Sequence, residues 1–162
     1  MEYKLIDYCD DISIVDTQYR RSGMAGAYIV TGAGDNEQGT RCAIIESGTN
    51  NSVPLIMAGL LDRGIAATMV DYLFLTHVHL DHAGGAGSLM QHLPNAKLVV
   101  HKRGAKHMID PSRLIAGTTM VYGQEEFDKS YGKIDPIDSH RVIEAHDGDS
   151  FTIGNRTLTC YE

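Results

Sequence analysis

The first third of the chain predicts β-structure from its pattern of hydrophobic and polar positions. The segment DISIVDT alternates apolar and polar side chains, which is the period of a half-buried strand. The segments AGAYIVTG and TRCAIIESG are more continuously apolar, so we expect them to be inner strands of a meander. The polar, glycine-rich segment GAGDNEQG between them predicts the connecting turn.

The middle of the chain alternates between helical and strand patterns. The segment SVPLIMAGLLDRG predicts the first helix. Ser52 suits its N-cap, Pro54 falls in its first turn, and Gly64 follows its last apolar position. The next segment, MVDYLFLT, predicts a strand because it is apolar and contains neither glycine nor proline.

A second helix and a further strand continue this alternation. We expect the helix to begin near Asp81 and to end before Pro94, and the segment AKLVVH predicts the buried strand. A succession of helix, strand, helix and strand implies a parallel sheet with helices packed on it. Glu46 and Gly48 end the strand before the first helix, at a position where loops often face a functional site.

The last third of the chain changes character twice. Residues 101–140 combine short-helix and chain-breaking signals, and we interpret them as short helices and a loop that wrap over the core in the manner of a lid. Residues 141–162 return to an alternating β-pattern. Gly154 and Asn155 fit the two-residue turn of a β-hairpin within this segment.

Composition narrows the class of protein. The chain has 162 residues, of which 43% are hydrophobic, and this predicts one domain with a buried core. A formal net charge of −7 argues against a nucleic-acid partner. The three cysteines are widely spaced and form no CxxC pair, which predicts reduced thiols in a cytoplasmic protein. We recognise no secretory signal and no apolar run of membrane-spanning length, so we expect no membrane contact.

The candidate chemistry lies in the segment LFLTHVHLDHAGG, Leu73 to Gly85. His77 and His79 are two positions apart on an extended segment, so their side chains point to the same side and can approach one ion. Asp81 stands where the strand gives way to the helix, as a helix cap or as a metal ligand. His82 points in another direction and suits a second ion close to the first.

The residue types of this segment predict a catalytic metal site. Imidazole nitrogen and carboxylate oxygen are ligands that Zn²⁺ accepts, and Fe and Mn are the alternatives. A catalytic ion keeps a position open for water and lowers the pKa of that water, and two ions can also polarise a carbonyl or phosphoryl oxygen. No cysteine lies near the motif in the sequence, which argues against a closed structural zinc site. We therefore expect one or two Zn²⁺ ions.

The run THVHLDHAGG matches an HxHxDH signature, and through it the chain resembles the metallo-β-lactamase superfamily over essentially its whole length. The resemblance implies an α/β (α+β) fold, a four-layer αββα sandwich. Residues 1–162 would be a single domain of this fold, truncated at its C-terminus, with the first half and the start of the second. The resemblance also implies that His77 and His79 hold the first metal and that Asp81 and His82 hold the second.

Several residues outside the motif are secondary candidates. We expect Thr76 to support the motif turn through its hydroxyl, and His101, at the end of the next strand, either to face the pocket or to be an ordinary half-buried histidine. Tyr122 and Tyr131 are candidate substrate contacts from the lid. Ordinary surface, turn or cap roles are expected for His92, His107, His140, His146, Asp10, Asp11, Asp16 and Asp62.

The function predicted from these features is that of a metal-dependent hydrolase. A metal-bound hydroxide would attack an ester, thioester, lactone or similar bond, and Asp81 would act as the catalytic residue that orients the nucleophile or handles protons. The alternatives are a mononuclear-iron oxidoreductase of the same fold, such as a persulfide dioxygenase, and an inactive metal-binding fragment. The expected partner is a small-molecule substrate, with a homodimer as a further prediction.

Overall fold

The structure, a computed structural model, describes residues 4–34 and 39–162. Within these ranges the strands are β1 (Leu5–Asp7), β2 (Ile12–Asp16), β3 (Gly26–Ala33), β4 (Thr40–Ile45), β5 (Val70–Leu75), β6 (Lys97–His101), β7 (Val142–Ala145), β8 (Ser150–Ile153) and β9 (Arg156–Thr159). The α-helices are α1 (Val53–Asp62), α2 (Leu80–Ala83), α3 (Ala86–His92), α4 (Lys102–Ile109), α5 (Ser112–Tyr122) and α6 (Gln124–Ser130).

Strands β1 to β7 form one sheet in which they follow each other in chain order. The pairs from β1 to β4 are antiparallel, and those from β4 to β7 are parallel. The meander and the parallel helix–strand unit predicted from the sequence are thus both present, joined at β4. Half of the turn segment predicted between β3 and β4, residues 35–38, lies outside the described residues.

Helices cover one face of this sheet. Helix α1 presents the buried residues Val53, Ile56 and Leu60, whose spacing forms one apolar stripe. The stripe joins residues of α3 and α4 in the main hydrophobic core, where Leu89 and Met108 are almost fully buried. Burial of this stripe, more than helix propensity, stabilises such short helices.

The opposite face of the sheet carries the hairpin of β8 and β9. Its two strands pair from Ser150 to Thr159 across the predicted turn. Phe151 packs edge to face against Phe74 of β5 at a ring distance of 5.4 Å, and Ile153 is fully buried in the same cluster. A helix layer, a large sheet and a second, smaller sheet therefore lie on top of each other, which confirms the predicted fold class.

The structure refines three local predictions. The helix expected from near Asp81 to Pro94 is divided into α2 and α3, because the amide of Gly85 donates to the carbonyl of Gly48 (2.9 Å) instead of continuing the helix. Ser52 does occupy the N-cap of α1, but its hydroxyl donates to the carbonyl of Thr17. None of the described helices is long and apolar enough to cross a lipid bilayer.

The segment predicted as a lid is only partly separate from the core. Helix α4 is a core helix, because Ala105 and Met108 are buried against the sheet. Helices α5 and α6 lie further out, and α6 contributes the buried Phe127 to a small cluster that includes Leu80 of the motif. The lid interpretation therefore applies to α5 and α6 alone.

Candidate metal centre

The carboxyl ends of β4, β5 and β6 meet at one edge of the sheet. The register pairs Ile45 with Phe74 and Leu75 with Val100, so the residues that follow β4 and β5 emerge side by side. Ligand sites in parallel sheets lie outside this edge. Glu46 follows β4 here, and the motif from Thr76 onward follows β5.

Backbone hydrogen bonds at the start of helix α2 fix the conformation of the motif. His79 is the N-cap of α2 in an extended conformation, and its carbonyl accepts the amides of His82 and Ala83. The carbonyl of His82 in turn accepts the amide of Ser47 (2.8 Å) and its hydroxyl (2.9 Å). The loop after β4 is thereby tied to the motif, so two segments that are distant in sequence form one unit.

The four side chains predicted as metal ligands lie next to one another. The ring of His77 is 4.9 Å from that of His79 and 4.2 Å from that of His82, measured between centroids. Nε2 of His82 is 3.6 Å from Oδ2 of Asp81. The predicted ligands therefore converge, with His77 at the centre of the histidine cluster.

Glu46 is the residue of this centre that the sequence analysis did not assign a role. It is 5% exposed, and its backbone is left-handed, at φ 69°. Its Oε1 accepts the amide of Thr76, whereas the buried Oε2 has no hydrogen-bond partner among the described residues. That Oε2 lies 3.5 Å from Nδ1 of His82. In the sequence, the position of Glu46 at the end of a predicted strand indicated that it could face a functional site.

The donor set fits a cation. Ligand atoms of Glu46, His77 and His82 all lie within 4.8 Å of one another. A buried carboxylate oxygen without a partner is costly unless a positive group or a donor offsets it. With Nδ1 of His82 turned toward Glu46 and Nε2 toward Asp81, a proton on Nδ1 leaves the lone pair of Nε2 free for a metal. We therefore interpret Glu46 as the group that orients His82.

The surroundings of His77 also favour the form of imidazole that can bind a metal. Burial lowers the pKa of His77 below its ordinary value of 6.5, and the neighbouring His82 lowers it further. A lowered pKa keeps the imidazole neutral at neutral pH, which is the form that binds metals. The hydroxyl of Thr76 is 2.9 Å from Nδ1 of His77, in agreement with the supporting role predicted for Thr76.

His101 lies at the expected end of β6 and lines a cleft together with Thr76, and both of its ring nitrogens have partners. Its Nδ1 accepts the amide of Arg103, and its Nε2 is 2.5 Å from Oε1 of Glu162. The other four histidines lie outside the cluster, in exposed or half-exposed positions: His92, His107, His140 and His146. Asp16 is a turn residue, as predicted, since it accepts the amides of Gln18 and Gly23.

The two tyrosines proposed as substrate contacts lie in one aromatic group near the motif. Tyr131 is 6% exposed and packs in the cluster of Leu80, the residue between His79 and Asp81. Tyr122 is exposed, with its ring 6.4 Å from that of Tyr131. Tyr19, which the sequence did not single out, joins them through a hydroxyl contact of 3.2 Å with Tyr131.

Comparisons with known proteins place the chain in a family. The sequence profile of the metallo-β-lactamase superfamily matches residues 27–159. A hydroxyacylglutathione hydrolase of Salmonella paratyphi A is 33% identical over 79 residues, which is 46% of this chain and 29% of that relative.

Two solved structures share the fold. A metallo-β-lactamase of Cronobacter sakazakii, a variant in its HARLDQ motif, is similar with a TM-score of 0.68 and 22% identity, over 98% of this chain and 53% of its own. The class B3 di-zinc metallo-β-lactamase LRA-12 from an Alaskan soil metagenome has a TM-score of 0.67 and 18% identity, over 98% and 52%. The chain spans about half the length of these structures. Because the profile covers most of its residues, this chain belongs to the metallo-β-lactamase superfamily.

Proposed function

We propose that the protein is a metal-dependent hydrolase of esters, thioesters, lactones or similar bonds. The observation that carries the proposal is the convergence of four side chains at the carboxyl edge of the sheet: His77, His79, Asp81 and His82. Beside them lies the buried Glu46, one oxygen of which has no hydrogen-bond partner in the part of the chain that the structure describes. A structural zinc site would be closed by four protein ligands, commonly thiolates, whereas this edge offers imidazoles and carboxylates at a surface open to a substrate.

The residues would divide between two ions as the motif predicts. His77 and His79 would hold one ion, and Asp81 and His82 the other, with Zn²⁺ as the preferred metal for this donor set. A bound Zn²⁺ supplies an acidic water and polarises a carbonyl oxygen. The class B3 neighbour from the soil metagenome is described as a di-zinc enzyme, which supports the assignment by analogy.

The chain's own residues then have distinct roles. Oε2 of Glu46 lies 3.5 Å from Nδ1 of His82 and would orient that imidazole, and the hydroxyl of Thr76 lies 2.9 Å from Nδ1 of His77 and would orient the other. Asp81, half-buried and 3.6 Å from His82, is the carboxylate placed to accept a proton from the attacking water. Fixed ligands and a positioned base are what a hydrolytic step requires of the protein.

A thioester is the bond that we favour among the candidates. The support is the relative described as a hydroxyacylglutathione hydrolase, whose matched region includes nearly half of this chain. The substrate in this proposal is a small molecule, in keeping with the sequence prediction.

Hydrolysis by the zinc-loaded protein tests the proposal. S-D-lactoylglutathione, 4-nitrophenyl acetate and a homoserine lactone would each be assayed before and after removal of the metal. We expect turnover of at least one substrate, and its loss in His77→Ala but not in His92→Ala, a substitution of an exposed histidine on α3. No turnover in any assay, with oxygen consumption by the iron-loaded protein on glutathione persulfide, would contradict the hydrolase and favour the oxidoreductase.

A further inference from the structure

Two side chains of the loop between β2 and β3 form a row with Tyr131, which follows α6 and packs against Leu80 of the motif. Tyr19 stacks on Tyr131 with ring centroids 6.1 Å apart, and their hydroxyl oxygens are 3.2 Å apart. The guanidinium of Arg20 lies over the ring of Tyr19, 5.4 Å from its centroid. Tyr131 packs against Leu80, so this row of side chains runs from Arg20 to the motif itself.

The loop that carries Tyr19 and Arg20 is built to hold an unusual conformation. Gln18 and Arg20 both have left-handed backbones, at φ 54° and 57°. A left-handed backbone costs free energy in residues other than glycine, and it persists only where the surrounding structure enforces it. Here the carboxylate of Asp16 accepts hydrogen bonds from Gln18, Ser22 and Gly23, which closes the loop on itself. The loop therefore presents Arg20 in one defined place.

Arg20 borders a polar cleft of about 410 Å³, and the loop after β4 forms another part of its wall. Thr49 and Asn51 of that loop line the cleft, and the amide of the intervening Asn50 donates to the carbonyl of Tyr131. The cleft therefore borders the same loop that Ser47 ties to the carbonyl of His82 in the motif.

The cleft is positively charged in a chain that is negative as a whole. Arg20 and Lys129 line it together with one acidic residue, Glu126, whose Oε1 already accepts the hydroxyl of Ser130 (2.6 Å). The chain carries a formal net charge of −7, so this local excess of positive charge stands out. Among the described residues, Arg20 makes no salt bridge. A guanidinium that is held by Tyr19, forms no salt bridge among the described residues and borders an open cleft can bind a carboxylate.

The tyrosine pair retains a hydrogen-bond donor for the same purpose. Two phenols carry two hydroxyl protons, and the bond between Tyr19 and Tyr131 uses one of them. Burial and the neighbouring Tyr19 raise the pKa of Tyr131 above its ordinary value of 10.0, so the pair stays protonated and able to donate at neutral pH.

We propose that Arg20, Tyr19 and Tyr131 form a subsite that binds a carboxylate of the substrate, which selects carboxylate-bearing esters and thioesters. The subsite rests on the proposed hydrolase function, because it lies beside that centre and orients its substrate. Arg20 supplies the charge, and the tyrosine pair supplies a neutral donor and an apolar wall next to Leu80. Neutral esters of the same length lack the group that this subsite recognises.

Two matched esters test the subsite. 4-Nitrophenyl hydrogen succinate and 4-nitrophenyl butyrate share a four-carbon acyl chain and differ in the terminal carboxylate. We expect the zinc-loaded protein to favour the succinate ester in kcat/KM. In Arg20→Gln the ratio of the two kcat/KM values should fall about tenfold through KM, because a charge-assisted hydrogen bond is lost. Arg20→Lys should recover part of the ratio.

Arg21→Gln is the matched control, since Arg21 is a second exposed arginine on the same loop that does not line the cleft. The ratio should not change in this variant. An equal loss in Arg20→Gln and Arg21→Gln would overturn the proposal, because general electrostatic attraction would then explain the preference. A ratio that Arg20→Gln leaves unchanged would overturn it as well.

A binding measurement separates this inference from the hydrolase proposal. The 4-nitroanilides of succinic and butyric acid are stable analogues of the two esters, and their dissociation constants can be obtained by NMR titration. We expect tighter binding of the succinic anilide and about tenfold weaker binding of it by Arg20→Gln. If neither ester is hydrolysed, the hydrolase proposal fails while this titration still decides on the subsite. Equal binding of both anilides would overturn the subsite.

Discussion

Two buried carboxylates lie in the two regions to which we assign a function, and they differ in how well their oxygens are satisfied. Asp16, 4% exposed, uses both oxygens to hold the loop of Tyr19 and Arg20. Glu46, 5% exposed, uses one oxygen to hold Thr76 and leaves the other unpartnered among the described residues. A satisfied carboxylate contributes to stability, whereas an unsatisfied one beside histidines indicates a site where a further group binds.

The largest effect that separates the two carboxylates is expected from Glu46→Gln. The side-chain oxygen of the glutamine would still accept a hydrogen bond from the backbone amide of Thr76. Its NH₂ group, however, would donate to Nδ1 of His82, and the imidazole proton would then move to Nε2. Nε2 faces Asp81 and would no longer be free for a metal. We expect zinc affinity to fall about 10- to 100-fold, measured by competition with a chromophoric chelator.

The stability of the metal-free Glu46→Gln protein should also distinguish Glu46 from Asp16. Removal of a buried, half-satisfied charge should leave the free energy of unfolding unchanged or raise it, because the cost of burying that charge disappears. A large loss of stability with unchanged zinc affinity would mean that Glu46 is a structural residue like Asp16.

Asp16→Asn should show the opposite pattern. The amide group cannot accept all the hydrogen bonds of the carboxylate, so the loop from Gln18 to Gly23 loses its anchor. We expect the free energy of unfolding to decrease by about 2 kcal/mol in urea denaturation. Zinc affinity should stay within about twofold of the wild type, since the hydrogen bonds that the Asp16 carboxylate accepts come from its own loop. A loss of zinc affinity comparable to that of Glu46→Gln would contradict the distinction.

The pH dependence of stability tests whether the charge of Asp16 stabilises the loop from Gln18 to Gly23. Burial raises the pKa of Asp16, but hydrogen bonds from Ser22, Gln18 and Gly23 outweigh it and hold the pKa below the ordinary value of 3.8. The stabilisation is therefore present above about pH 3.8 and is lost as the pH falls from there through the lowered pKa. The difference in unfolding free energy between wild type and Asp16→Asn should shrink below that pH. A constant difference down to pH 2 would show that the charge of Asp16 is not involved.

The smallest effect is expected from Thr76→Val. The substitution keeps the shape of the side chain and removes the hydroxyl 2.9 Å from Nδ1 of His77. Because this hydroxyl is exposed, water can replace it, and we expect zinc affinity to fall by roughly threefold. A decrease as large as that from Glu46→Gln would mean that Thr76 contributes as much to zinc affinity as Glu46 does, which contradicts the role assigned to Glu46.

The fold and the convergence of the candidate metal ligands were largely predictable because their signals are local. The apolar run of β5, the two-residue spacing of His77 and His79 and the adjacent Asp81 lie within a few residues. Their periodicity alone places the side chains at the end of a strand. The hairpin at Gly154 and Asn155 was predictable for the same reason, since its turn chemistry is contained in two residues.

The features that the sequence did not reveal depend on distant contacts. The break between α2 and α3 arises because Gly85 binds the carbonyl of Gly48, far away in the chain. Tyr19 and Tyr131 are 112 positions apart, so no local pattern connects them. Glu46 ended a predicted strand, but its unpartnered oxygen becomes meaningful only when β4 and β5 lie side by side. Such pairs are fixed by sheet topology and not by local propensity.

In the proposed centre, His77, His79, Asp81 and His82 hold zinc while Glu46 orients His82. The most direct test is a crystal structure of the zinc-loaded protein with anomalous difference maps at the zinc edge. We expect a peak bonded to a nitrogen of His77 at about 2.0–2.1 Å, with Glu46 hydrogen-bonded to Nδ1 of His82 and not bonded to metal. A peak at another site, or one with Glu46 as a direct ligand, would contradict this account.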